Sequence, residues 1–261
     1  MTAPVPSWQP APAAPPAKPL SSSFSFVAIA AQLSLLLVIG TAGATLVVSV
    51  EGLALVDALD AGTRTVAEAE NFDARVRVLA ILANVFYLLT AGLFMSWMYM
   101  LRTSAAAAPE AMRHGAGWTI GGWMVPILNL FRPYQIMVDL WRGMARPARP
   151  FQAAEQPSVP RLVPIRWASF LVASIGGRVA ITSAFYSPAT LDSARQTLQA
   201  EILVDAASVI AGLLAISVLR MYTTHAKATP PPVQWLPMAN VWPSAAPTPP
   251  DTQFPYGRPS A

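Results

Sequence analysis

Four apolar stretches, separated by charged or proline-broken connections, set the pattern of this chain. Phe24 to Val50 is 27 positions without a charge. As helix it would reach about 40 Å against a hydrocarbon core of about 30 Å, so it can cross a membrane with some tilt. Val78 to Leu101 is a second uncharged run of 24 positions, closing on Phe94, Trp97 and Tyr99 before Arg102. Aromatics followed by a cation mark a membrane–water boundary. Trp167 to Tyr186 is the third stretch, interrupted by Gly176-Gly177-Arg178, and Glu201 to Tyr222 is the fourth. The pattern predicts an all-α integral membrane bundle of four transmembrane helices, with spans at about 24–50, 78–101, 167–186 and 201–222.

The connections differ in kind. Glu51 to Arg77 holds six acids and three arginines, with Leu53, Val56 and Leu59 at helical spacing. The first helix is therefore expected to run on to about Leu59, turn around Gly62, and give way to a second helix near Thr65, as an acidic cap above the membrane. Ser187 to Ala200 reads as a short polar connection. Between the second and third spans lies an interfacial or re-entrant segment, 116–144, containing GWTIGGWMVPILNLFRPYQIMVDLW from Gly117 to Trp141. It is apolar enough to seek a membrane, yet Ala116 to Phe131 would span only about 24 Å as helix. Pro126 removes a backbone donor and disfavours helix at Val125, and Gly121-Gly122 adds a flexible point. Pro133 suits a helix's first turn. After it Ile136 and Leu140, and Met137 and Trp141, stand four apart, with Asp139 and Arg142 on another face.

Composition then narrows the class. Only 11% of residues are charged, against about 25% in soluble domains. The absence of cysteine excludes disulfides, thiolate metal sites and cysteine nucleophiles. Fifteen of the seventeen cations are arginine and cluster beside apolar segments, which argues for membrane topology rather than nucleic acid. Eight arginines against three acids in Arg102–Arg166, and three against six in Glu51–Arg77, place the long connection and both termini in the cytoplasm. Residues 1–23 and 223–261, rich in proline, are expected as disordered cytoplasmic tails flanking a membrane domain at 24–222, and offer a surface for a protein partner. Small residues at Gly40, Ala42, Gly43 and Ala44, and at Ala173, Gly177, Ser208 and Gly212, could allow close helix contacts.

Trp118, Gly122-Trp123-Met124-Val125-Pro126, Asn129-Leu130, Arg132-Pro133-Tyr134-Gln135 and Leu140-Trp141-Arg142 together resemble a bacterial membrane family catalogued as domain of unknown function 4328. Its pattern is a tryptophan-rich run into a proline, an asparagine, a second proline with tyrosine and glutamine, then a tryptophan. Gly122 stands where that family often places a second tryptophan. The resemblance implies four spans in a bacterial plasma (inner) membrane, and implies no activity.

Two readings of the motif follow. As an interfacial anchor, Trp118, Trp123 and Trp141 sit at headgroup level while Arg132 and Arg142 meet anionic lipid. As a re-entrant element lining a pathway, Asn129 and the carbonyls freed by Pro126 and Pro133 bind a substrate or ion. Arg178 is a charge within a span, expected to pair with Asp205 or Glu201 on the fourth helix. His114 and His225 are far apart in sequence and form no HExxH arrangement, and no nucleophile elbow, P-loop or dinucleotide fingerprint occurs. No cofactor, metal or nucleic acid is implied. The expectation is a non-catalytic membrane scaffold or regulator, with the bilayer and a second copy as further partners; the alternative is a small oligomeric transporter or channel component.

Overall fold

The computed structural model describes residues 20–107, 112–144, 157–186 and 190–229. Among these every regular element is helical: α1 (Ser22–Asp60), α2 (Val66–Arg102), α3 (Trp118–Met124), a 3-10 turn (Leu128–Leu130), α4 (Arg132–Met144), α5 (Leu162–Tyr186) and α6 (Leu191–Ala228). Helices α1, α2, α5 and α6 are each long and apolar enough to cross a membrane. The protein is a four-span, multi-pass membrane protein. The expected tails lie outside the described residues except at their inner ends, where α1 already begins at Ser22 and α6 continues to Ala228.

Local chemistry sets the ends. The Ser21 hydroxyl accepts the Phe24 N–H at 3.3 Å and caps α1. That helix runs 39 residues, about 58 Å, so its last turns stand clear of any hydrocarbon core. It ends at Gly62, whose φ of +66° is open to glycine without a Cβ penalty. Helix α2 then starts after Thr65, whose backbone N–H donates to the Glu68 carboxylate at 2.9 Å. The expected turn and restart are therefore found where the charge pattern puts them.

The fourth span corrects the sequence reading. Residues 191–200 are not a polar connection but the opening turns of α6, begun by Thr190, which accepts the Ser193 N–H at 3.2 Å. Their polar side chains are spent outside the membrane. Arg195 pairs with Asp57 at 2.7 Å, and Arg75 with Glu51 at 3.2 Å. Beneath these pairs Val56, Phe72 and Leu198 form a small apolar cluster. Gly52 lets it close, because a Cβ there would lie 2.5 Å from the Phe72 ring. The acidic cap is thus a three-helix stem.

Helices α2, α1, α6 and α5 stand side by side in that order, each packed on the next; α2 and α5 do not pack along their length. The α1–α6 contact is the most extensive. A Cβ on Gly212 would approach Ile39 Cγ1 to 2.6 Å, and Arg220 Nε donates to Gln32 Oε1 at 2.7 Å. The expected small-residue contacts are redistributed. Gly212 faces α1, whereas α5 meets Val204 of α6 through Gly176 and Gly177. A Cβ on Gly40 or Gly43 would touch nothing within 4 Å, so neither glycine is needed for a close approach, although Ala42 between them is buried. Large apolar side chains such as Ile29 and Leu33 on α1, Val85 and Leu88 on α2, Val172 on α5 and Leu203 on α6 are exposed. A surface of that kind is unsuited to water and matched to lipid.

Gly212→Ala is expected to lower the thermal unfolding midpoint of the detergent-solubilised protein, at a cost of about 1–3 kcal/mol from overpacking Ile39. Gly40→Ala, made into open space, is expected to leave the midpoint unchanged or raise it.

Candidate functional site

The motif segment folds as its two prolines dictate. Helix α3 stops at Val125, held extended (φ −90°, ψ 117°) by the following Pro126. The chain turns through the 3-10 element and restarts as α4 with Pro133 in the first turn. Helix α3 lies so close to that turn that a Cβ on Gly122 would sit 2.8 Å from Arg132 Cγ. A side chain at this position would require Arg132 to shift.

Helix α4 buries Ile136, Met137, Leu140 and Met144 against the ends of α2 and α6, among Trp97, Met98, Leu101, Leu219 and Tyr222. Directed polar contacts fix its register. The Tyr222 hydroxyl donates to the Met137 carbonyl at 2.7 Å, and Trp97 Nε1 donates to Thr223 Oγ1 at 3.1 Å. Trp141 stacks on His225 with ring centroids 4.6 Å apart, leans on Tyr222, and donates from Nε1 to the Ser158 carbonyl at 3.2 Å. Trp167 Nε1 donates to the Leu130 carbonyl at 3.2 Å, one of the carbonyls left free by the broken backbone, and its ring stacks on Tyr134.

Asp139, placed by its spacing on the face away from the core, is buried. Arg113 reaches over from the preceding connection, with Nε at 3.0 Å and Nη2 at 2.9 Å from Oδ1, and its backbone N–H donates to Oδ2 at 3.3 Å. Nearby, Arg132 contacts the His114 ring nitrogens, donates to Gln135 Oε1 at 3.3 Å and lies over the Trp118 ring at 5.3 Å. Arg142 is exposed, as are Pro126 and its neighbours Met124, Val125 and Ile127.

The structure does not bring Arg178 to either expected partner. Arg178 is exposed on α5 and forms no ion pair among the described residues. Glu201 instead accepts from the Ser49 hydroxyl at 3.3 Å, and Asp205 interacts with Thr45, both on α1. Helical phase is the reason: Glu201 and Asp205, four apart, share the face of α6 turned to α1. The α5 face turned to α6 carries Gly176 and Gly177.

A different arginine occupies the interior. Arg166, in the first turns of α5, is 9% exposed and lies 5.2 Å from the Phe94 ring, 5.2 Å from Phe170 and 5.9 Å from Trp167. Trp123 completes the box edge-on, 6.0 Å from both Phe94 and Trp167 and 5.8 Å from Phe170. Cation–π attraction offsets part of the cost of burial. The sequence reading treated Arg166 only as a boundary cation. Its i,i+1 and i,i+4 aromatics, Trp167 and Phe170, were the available signal. Four side-chain atoms of this region are buried with no hydrogen-bond partner: Trp123 Nε1, Asn129 Oδ1, Arg132 Nε and Arg166 Nε. Among the described residues no cluster of three or more His, Asp or Glu could hold a metal ion.

Arg113→Ala removes the one ion-pair partner that the buried Asp139 carboxylate has among the described residues and is expected to destabilise by about 2 kcal/mol. Arg142→Ala, an exposed site three residues along the same helix, is expected to change the unfolding midpoint little.

No curated protein and no solved structure matches the chain. A family model does, over residues 61–224, from the Gly62 turn to the last turns of α6. That stretch takes in α2 to α5 complete, with the broken motif at its centre, and the chain belongs to the family described as domain of unknown function (DUF4328).

Proposed function

We propose that this membrane protein acts without catalysis, as a scaffold or regulator in a bacterial plasma (inner) membrane. Its α3–α4 segment lies in the cytoplasmic interface against anionic lipid, both termini are cytoplasmic, and the proline-rich tails receive a protein partner. The observation that carries this reading is the two-sidedness of the motif segment. One side, Ile136, Met137, Leu140 and Met144, is buried among the helix ends. The other presents Met124, Val125, Ile127, Leu130 and Phe131 as an exposed apolar lip, with the Arg132 guanidinium 5.9 Å from the Phe131 ring. Apolar lip with basic rim is the composition of an interfacial anchor. The side-by-side order of the spans supports the same reading, since a transport route would need a second copy to close it. The excess of arginine in the long connection supports the orientation.

The missing cysteines permit a direct test. Single cysteines placed from Gly117 to Arg142 would be labelled with a membrane-impermeant maleimide in intact cells and in inside-out vesicles. Labelling at position 142 only from the cytoplasmic side, with positions 124, 125 and 127 shielded from both sides, is expected. Labelling of positions 125–129 from outside, or solute flux in proteoliposomes, would replace this reading with a transport pathway.

A further inference from the structure

The Arg166 box is a membrane-embedded cation without a counter-charge. No carboxylate among the described residues pairs with Arg166, and its Nε is buried without a hydrogen-bond acceptor there. Rings satisfy the faces of a guanidinium and leave its N–H edge wanting an acceptor. One further donor belongs to the same neighbourhood, and a second stands one helical turn along α2 from Phe94. Trp123 Nε1 is buried without a partner on a ring that touches Phe94, Trp167 and Phe170. Thr90 Oγ1, on a residue 9% exposed, is likewise without one. Thr90 shares a face of α2 with Phe94, one turn away, and with Tyr87, which lies within electrostatic range of Arg166. An interior that gathers an N–H edge and an indole N–H, with a hydroxyl one turn along α2, has more unspent donors than its one unpartnered acceptor, Asn129 Oδ1, can meet, and is suited to an anionic oxygen.

We propose that Thr90, Trp123 and Arg166 bind the phosphate of one anionic phospholipid, which enters laterally between α2 and α5. Depth favours a lipid over a soluble anion. Arg166 is four residues into α5, and Phe94 eight residues, about 12 Å, before the end of α2, so the box lies within the ends of two helices apolar enough to span and not beyond them. The route from the bilayer is open, because α2 and α5 do not pack along their length and both expose apolar side chains, among them Val85, Leu88, Val172 and Ile175. The route from the α4 end is covered by α3 and by the Tyr134–Trp167 stack. The unpaired arginine at the N-terminal turns of α5 adds its charge to the positive end of the helix dipole. The site deepens the lipid contact proposed above by placing it at named donors. The maleimide pattern along 117–142 does not depend on Arg166, so either reading can fail alone.

The test is native mass spectrometry of the full chain in detergent, titrated with phosphatidylglycerol and, separately, with phosphatidylcholine of identical acyl chains. Wild-type protein is expected to retain one phosphatidylglycerol with a preference of about ten-fold, the value of one charge-assisted hydrogen bond. Arg166→Gln is expected to erase the preference. Trp123→Phe and Thr90→Val, which keep shape and remove one donor each, are expected to reduce it and to keep the proposal testable if Arg166→Gln does not fold. Arg77→Gln, an exposed charge loss beyond the opposite end of the bundle, is expected to leave it intact. Equal retention of the two lipids, or a preference that survives both Trp123→Phe and Thr90→Val, would overturn the proposal. Displacement of phosphatidylglycerol by millimolar inorganic phosphate would reassign the donors to a soluble anion.

Discussion

Tyr222 is where the broken segment and the spanning helices become one structure. Its ring is fully buried between Trp97 of α2 and Trp141 of α4, and its hydroxyl is satisfied by the Met137 carbonyl. A phenol can be buried at this depth only if its O–H finds an acceptor, and that acceptor exists only where α4 crosses the end of α6. One residue therefore couples an apolar requirement to a directional one. Around it the α4 end of the protein is close-packed, with Leu101, Leu140 and Leu219 excluded from solvent. Along the spans packing loosens, and apolar side chains remain exposed. Lipid provides little hydrophobic drive for helix association, so directed contacts and close approaches such as Gly212 on Ile39 carry more of the specificity there.

The arginines divide by environment. Arg75 and Arg195 pair with acids at the Gly62 end, and Arg113 closes on Asp139 at the other. Exposed pairs of the first kind contribute little to stability. Asp139 differs, because its carboxylate is buried and the guanidinium that meets it also tethers the connection before α3. Arg166 has rings in place of a carboxylate. An arginine held this way keeps its charge and its unspent N–H edge, which distinguishes it from the exposed Arg178 on the same helix.

Much of the fold was legible because lipid imposes strong rules. A run of 27 uncharged residues can be little else than a span, and the Thr65–Glu68 cap, the Gly62 turn and the breaks at Pro126 and Pro133 follow from local backbone chemistry. The opening of α6 was misread because Asp192, Arg195 and Gln196 look like a loop when membrane burial is the only reason considered for a helix. They are helical because they stand outside the membrane against α1 and α2, where polar side chains are acceptable and Leu198 packs on Phe72 and Val56. Asp139 was placed outward because a lone acid on an amphipathic helix belongs in water unless a partner covers it, and Arg113 is 26 residues away.

What the sequence determined by itself is the set of elements: four spans, the helical cap, a segment broken at two prolines, and the membership of motif residues in one stretch. These depend on hydropathy, charge and backbone geometry over a few neighbouring positions. What only the tertiary structure decided is which face of each helix meets which partner. It put Glu201 and Asp205 against α1 and not beside Arg178, put Gly212 on Ile39, and gathered Phe94, Trp123, Arg166 and Phe170 from three helices into one box. Helical phase and the crossing of distant segments fix those contacts. In apolar spans, where nearly every face is hydrophobic, periodicity carries no mark of the phase that packing selects.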